Sequence, residues 1–252
     1  MEMPFLTMLA VLTFGAYFHV VMGFVIAMIA SGAASAFHLM PLPLLAIEIS
    51  LLTLSNSPVA LFGHLRDIDW RLALPALVGM FPTLWIGIEL LSYLNSSSAA
   101  TLQIVLGATI AFGSLVVAVK PKRYERRSWA LLTFLQGALA GFIGGMFGFT
   151  GPPLIYHLYR QPVEPVVVRI TLIFMFMASS MIRLTVVGFQ GGLVSEVWST
   201  FLWIAPFVLG ATYLGRRYPP RISARNVRRT AFAFLTLIGV GLMLSGVLAD
   251  FR

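Results

Sequence analysis

The chain has 252 residues, 59% of them hydrophobic and 10% charged, with a mean hydropathy of +0.91 and a formal net charge of +8. Soluble domains run near about 45–50% apolar and about 25% charged, so a single water-surrounded core is excluded and lipid is required as solvent. Cysteine is absent, which excludes thiol catalysis, disulfides and cysteine-ligated metal.

Apolar stretches close to the roughly 20 residues that span a bilayer recur at 5–30, 44–63, 72–93, 99–119, 129–150, 166–188, 197–215 and 228–249, with a shorter one at 152–159. No soluble domain separates them. The first stretch is preceded by Met1 to Pro4, without Lys or Arg, so it lacks the positive n-region of a cleaved signal peptide. It runs into a small-residue break, Ser31-Gly32-Ala33-Ala34-Ser35. The second contains Glu48 and the polar interruption Ser55-Asn56-Ser57-Pro58. The third contains Pro75, Gly79 and Glu89, and the fourth Leu106-Gly107. A charged linker, KPKRYERRS at 120–128, then divides the chain into a first membrane repeat (1–119) and a second (129–252).

The second half repeats the landmarks of the first in the same order. GFVIAM at 23–28 has its counterpart in GFIGGM at 141–146. The small-residue break has its counterpart in Gly148-Phe149-Thr150-Gly151-Pro152-Pro153. Pro75 and Gly79 correspond to Pro206 and Gly210, and Leu106-Gly107 to Ile238-Gly239. The common order argues for a duplicated unit.

Lys and Arg mark cytoplasmic loops. If all eight long segments crossed in turn, the clusters at 120–127 and 216–229 would lie on opposite faces. The conflict disappears if 129–150 enters from the cytoplasm, breaks at 148–151 and returns through 152–160. All 17 basic residues except Arg169, Arg183 and Arg252 then share one face. The expected architecture is an all-α integral membrane protein of two inverted repeats. Each repeat is a broken, re-entrant helix hairpin plus three transmembrane helices, with the site near the midplane where the breaks meet.

Irregular backbone at membrane depth occurs where it is buried in protein or lines a cavity. A helix starting at Pro152 would aim its positive dipole end at the break, an anion site in principle. Gly148, Thr150, Gly151 and Pro152 are therefore candidate substrate contacts, with Ser31, Gly32 and Ser35 as their first-half equivalents. The competing reading is a proline kink with close packing through Gly141, Gly144, Gly145 and Gly148. Arg183 lies within an apolar span and either snorkels to the outer surface or faces a cavity as an anion ligand. Arg169 begins the same span, as an interfacial anchor or a ligand. Asn56, Ser57, Ser179 and Ser180 either bond an anion's oxygens or hold helices together. Glu48 is a candidate for coupling, through a proton or an arginine partner. His157 on the short arm reads as structural.

No phosphate-binding Gly-Lys-Ser/Thr loop, HExxH or paired acidic metal motif is present in the sequence. No enzyme activity, metal or cofactor is expected, and transport is expected to run on a gradient. The basic charge reads as topology signal and contact with anionic lipid, not nucleic-acid binding.

The stretch Gly137-Ala138-Leu139-Ala140-Gly141-Phe142-Ile143-Gly144-Gly145-Met146-Phe147-Gly148-Phe149-Thr150-Gly151-Pro152-Pro153-Leu154 resembles the sulfite exporter TauE/SafE family. That family shows a glycine-rich helix running into a GxGGP-like break, then an arginine opening the next helix, here Arg169-Ile170-Thr171. Asp69-Trp70-Arg71 followed by Pro75 and Gly79 is also similar. The resemblance spans nearly the whole chain. It departs at 31–35, which lacks proline, and at Thr150, where glycine is usual. It implies a bacterial inner-membrane carrier that moves sulfite or a small organosulfonate such as sulfoacetate, generally outward. A passive anion channel and an accessory subunit without its own substrate are the alternatives. The small-residue faces are compatible with a homodimer.

Overall fold

The computed structural model describes residues 7–10, 12–13, 32, 40–118, 122–218 and 224–250. Ser31 and Ser35, with most of the first apolar stretch, lie outside the described residues. Regular structure among the described residues is helical throughout. After a few helical residues at 7–13 come α1 (Leu42–Leu61), α2 (Trp70–Ser97), α3 (Ala99–Ala118), α4 (Ala130–Phe147), α5 (Pro152–Tyr159), α6 (Pro165–Phe189), α7 (Ser195–Arg217) and α8 (Ala224–Asp250). Five of these, α1, α2, α4, α6 and α7, are long and apolar enough to cross a membrane. The protein is an all-helical, multi-pass membrane protein.

Helix ends follow local chemistry. Proline stands in the first turn of α1, α5 and α6, where its missing N–H would have had no helical partner. Asp69 caps α2, its carboxylate accepting from the Arg71 N–H at 3.1 Å. α4 ends at Gly148, which adopts the left-handed conformation with φ of +77°, a backbone that suits glycine.

Two long seams organise the packing. α2 and α4 run parallel in close contact, Ala76 against Gly137, Met80 against Gly141 and Leu84 against Gly145. A Cβ added at Gly141 would stand 2.7 Å from the α-carbon of Met80, so the backbones meet where side chains would normally intervene. The Gly137, Gly141 and Gly145 stripe is thus consumed within the chain. α3 and α8 run antiparallel, Ser114 hydroxyl to Thr236 hydroxyl at 2.9 Å, Gly107 against Gly239 and Gly246 against Ala100. Gly32, helical and buried, sits against Ile110 and Ile238 of this second seam. α1 packs mainly on α6 and α7.

The path through α4 and α5 is a hairpin that returns to its starting end. Ser128, just before α4, donates its N–H to the Gln161 side chain at 3.1 Å, and Gln161 donates back to the Ser128 hydroxyl at 2.8 Å. Thr133 in the first turn of α4 meets His157 Nε2 at 3.0 Å. The 122–128 linker is clasped there too: Tyr124 N–H donates to the Arg160 carbonyl at 2.6 Å, and the Arg160 guanidinium lies 4.2 Å from the Tyr124 ring centroid. Arg127 pairs with Asp69 at 3.0 Å, which brings the start of α2 to the same end. Antiparallel pairing places the start of α8, with Arg225, Arg228 and Arg229, at the end where α3 finishes. The basic segments of both halves therefore converge on one end of the bundle.

Candidate functional site

Between α4 and α5 the helical ladder stops for four residues, 148–151, at the end of the hairpin remote from the linker. Gly148 seats this break directly on α1. A Cβ there would lie 2.7 Å from the carbonyl oxygen and 2.8 Å from the α-carbon of Ala46. Phe147 and Phe149 flank it with stacked rings, centroids 6.0 Å apart. Thr150 is buried and its hydroxyl meets that of Ser179 on α6 at 2.7 Å. Ser179 also donates to the Phe176 carbonyl at 3.0 Å, so the Ser179 proton goes to its own helix and Thr150 supplies the proton of their shared bond. Ser180, next along α6, is buried as well. Gly151 is the cap residue of α5, and Pro152 and Pro153 form its first turn. Those prolines remove two of the orphan N–H groups. The dipole end remains, and the N–H groups of Thr150 and Gly151 make no backbone hydrogen bond among the described residues.

One turn beyond Ser179, Arg183 reaches into the same place. It is 2% exposed. Its Nη1 donates to the carbonyl oxygens of Gly144, at 3.0 Å, and Gly145. These are C-terminal carbonyls of α4, the negative end of the helix dipole. Its Nε is buried without a partner, and no carboxylate pairs with it among the described residues. The break thus holds the C-terminal end of one helix, the N-terminal end of another, a hydroxyl pair and a guanidinium without a counter-ion. The Arg183 side chain is buried and turned onto the Gly144 and Gly145 carbonyls, not extended toward the surface.

The remaining candidates distribute as follows. Gly148, Thr150, Gly151, Pro152, Ser179 and Arg183 come together, and Ser180 is buried beside Ser179 on α6. Arg169 is exposed at the start of α6, about 20 Å from Arg183 along the helix by its rise. Ser57 donates its hydroxyl to the Thr53 carbonyl at 2.7 Å, so that proton is committed to its own helix. Asn56 is half-buried and its Oδ1 has no partner. Glu48 on α1 is 1% exposed and both carboxylate oxygens lack a donor. Glu89 accepts from Gln190 at 2.6 Å in an exposed contact at the far end. Among the described residues no group of three or more His, Cys, Asp or Glu could hold a metal.

Sequence reasoning passed over three contributors. The Gly144 and Gly145 carbonyls, read only as packing positions, are the acceptors for Arg183. Ala46 supplies the backbone on which the break rests. Gln161, fully buried, ties the hairpin base. A polar residue directly after the short arm's basic Arg160 was the one legible signal for Gln161.

The model of the family described as Sulfite exporter TauE/SafE matches residues 7–242. A curated relative, named Probable sulfite/organosulfonate exporter TauE, from Cupriavidus necator, is 42% identical over 98% of this chain and 96% of its own length. No solved structure matches the chain.

Proposed function

The chain belongs to the sulfite exporter TauE/SafE family, a family of transporters and not of enzymes, and from that premise we propose that it exports sulfite or a small organosulfonate bound at the 148–151 break. The observation that carries the reading is Arg183, a buried guanidinium with an unpartnered Nε and no counter-ion among the described residues. A buried charge left uncompensated is costly. The two glycine carbonyls offset part of that cost, and an anion at the break supplies the rest.

A sulfonate suits the donors present. It is compact, singly charged and carries three acceptor oxygens. The free guanidinium edge and the positive end of α5 offer donors and field from different directions, and the Thr150 hydroxyl joins them by turning its proton from Ser179 to the anion. The name of the Cupriavidus necator relative agrees with this substrate class. The α2–α4 seam is too tightly packed to slide, so α5 and α6 are the elements expected to move around the anion.

The same reading places the protein in a bacterial inner membrane with its basic end cytoplasmic. The convergence of the linker, the start of α2, Arg160 and the start of α8 on one end supports this, because cytoplasmic loops are enriched in Lys and Arg. That end would also meet anionic lipid headgroups.

The deciding experiment is flux in proteoliposomes, comparing sulfite, sulfoacetate and a simple alkanesulfonate with sulfate and acetate. Saturable sulfonate flux that is lost in Arg183→Ala and retained in Arg169→Ala is expected. Absence of flux for every anion, in protein shown to be folded, would remove the carrier reading.

A further inference from the structure

Glu48 is unused by the anion site, and its surroundings are hostile to a charge. It lies on α1, seven residues into a 20-residue apolar helix. It is 1% exposed, and neither carboxylate oxygen has a hydrogen-bond donor. The hydroxyls that follow it, Ser50, Thr53, Ser55 and Ser57, each donate to a carbonyl of their own helix. Two turns on, the Asn56 Oδ1 is another buried acceptor without a donor.

Among the residues whose side chains are described, the elements packed on α1 offer Glu48 no compensating cation. α4 has no ionisable side chain. α2 carries Arg71, Glu89 and Tyr93. α6 carries Arg169, exposed at its start, and Arg183, committed to Gly144 and Gly145. α7 carries Glu196 in its first turn and Tyr213, Arg216 and Arg217 toward its end. None of these is bonded or ion-paired to Glu48 among the described residues. A carboxylate so placed would pay desolvation without return, whereas the neutral acid needs no counter-ion. A sodium ion would need several more oxygens than Glu48 can gather here.

Glu48 lies across α1 from the break. Ala46, two residues earlier and so about 200° around the helix, is the backbone that Gly148 rests against. A carboxylate at 48 and an anion at the break would therefore be separated by roughly 10–12 Å, at which like charges in a medium of effective dielectric ~20 disfavour each other by about tenfold. Protonation of Glu48 removes that repulsion.

We infer that Glu48 is a proton-binding site whose occupancy is linked to that of the anion: anion binding favours protonated Glu48, so protein in which Glu48 is ionised takes up a proton as the anion binds. This rests on the anion-carrier reading above. Sulfite and the carboxyl of sulfoacetate titrate themselves, so the probe is a simple alkanesulfonate, ionised across the working range.

The test measures alkanesulfonate binding and counterflow across pH, with proton uptake followed by an indicator dye in weakly buffered protein. In the wild type, affinity should weaken by about tenfold as pH rises through the Glu48 titration, with proton uptake peaking there at about half a proton per anion bound, the most that a tenfold linkage allows. In Glu48→Gln, which mimics the neutral acid, affinity should stay tight at every pH, counterflow should persist and proton uptake should vanish. A pH response or proton uptake retained in Glu48→Gln overturns this inference alone. Replacement of sodium by choline abolishing wild-type binding would overturn it in favour of a sodium site. Absence of alkanesulfonate binding and counterflow in the wild type would remove it together with the carrier reading. If Glu48→Gln does not fold, the wild-type dye measurement across pH still decides, because anion binding without proton uptake at any pH overturns it.

Discussion

Arg183 on α6 donates to the carbonyl oxygen of Gly144 at 3.0 Å, and so a cation from one helix closes the C-terminal end of another. The contact does two things at once. It gives a donor to the Gly145 carbonyl and a second donor to the Gly144 carbonyl, which already accepts from the Gly148 N–H at 2.9 Å. It also fixes a guanidinium at a place where no carboxylate neutralises it among the described residues.

Separating these two roles is the first prediction. Arg183→Ala should lower thermal stability by about 2 kcal/mol, the scale of a charge-assisted hydrogen bond lost from a buried acceptor, and should reduce sulfonate flux by about 100-fold or more. Arg183→Lys should recover most of the stability, because an ammonium can still cap the carbonyls. It should recover little flux, because a point donor committed to carbonyls has no second edge for an anion. Melting curves with and without sulfonate, alongside flux, read both. Full flux in Arg183→Lys would show that the charge matters and the planar fork does not.

The Thr150 and Ser179 hydroxyls link the break to α6 across 29 residues at 2.7 Å. A double-mutant cycle with Thr150→Val and Ser179→Ala should give a coupling energy of about 1 kcal/mol in stability. Thr150→Val should in addition raise the KM for sulfonate several-fold, since it removes the donor nearest the open N–H groups. Ser179→Ala should leave KM nearly unchanged. Equal KM effects from both variants would place the anion elsewhere along α6.

The sequence was most legible where chemistry is local. The apolar segments predicted the helices to within a few residues, and 152–159 coincides with α5, because proline and glycine punctuate the chain there. The return of the hairpin was also readable, since Arg160 and the 120–128 linker could share a face only that way. What could not be read was tertiary partnership. Arg183 looked like a residue free to snorkel because its distance from the span's end permits it, and only the fold shows Gly144 and Gly145 within reach. Gly141, Gly144, Gly145 and Gly148 announced close helix packing without saying with which helix, and the fold divides them: Gly141 and Gly145 meet α2, whereas Gly148 meets α1. Ser57 and Ser179 looked equivalent as hydroxyls in spans, yet one bonds only its own helix and the other meets the break.

Topology gives a third prediction, and the absence of native cysteine makes it clean. Glu125→Cys in the linker and Ile222→Cys between α7 and α8 should both react with an impermeant maleimide only from the cytoplasmic side. Ser97→Cys, at the opposite end of α2, should react only from the periplasmic side. Periplasmic labelling at 222 would overturn the orientation, whatever the other two positions show.

The break's seat on α1 is tested by two glycines that share a backbone conformation and differ in surroundings. Gly148 has φ of +77° and Gly191, in the α6–α7 connection, has φ of +72°. An alanine at either pays about 1–2 kcal/mol for the left-handed backbone. At Gly191 nothing lies within 4 Å of the added Cβ, so that strain is the whole cost. At Gly148 the Cβ would stand 2.8 Å from the α-carbon of Ala46, which is backbone and cannot swing aside. Overpacking of this kind adds about 1–3 kcal/mol. Gly148→Ala should therefore destabilise the detergent-solubilised protein by about 2–5 kcal/mol against about 1–2 kcal/mol for Gly191→Ala. Flux should fall in Gly148→Ala even at temperatures where the protein stays folded, because the shift that relieves the clash moves Thr150 and Gly151 off the Arg183 edge. Equal melting losses and unchanged flux in both variants would mean that the break does not rest on α1, and the path by which Glu48 senses the anion would lose its footing.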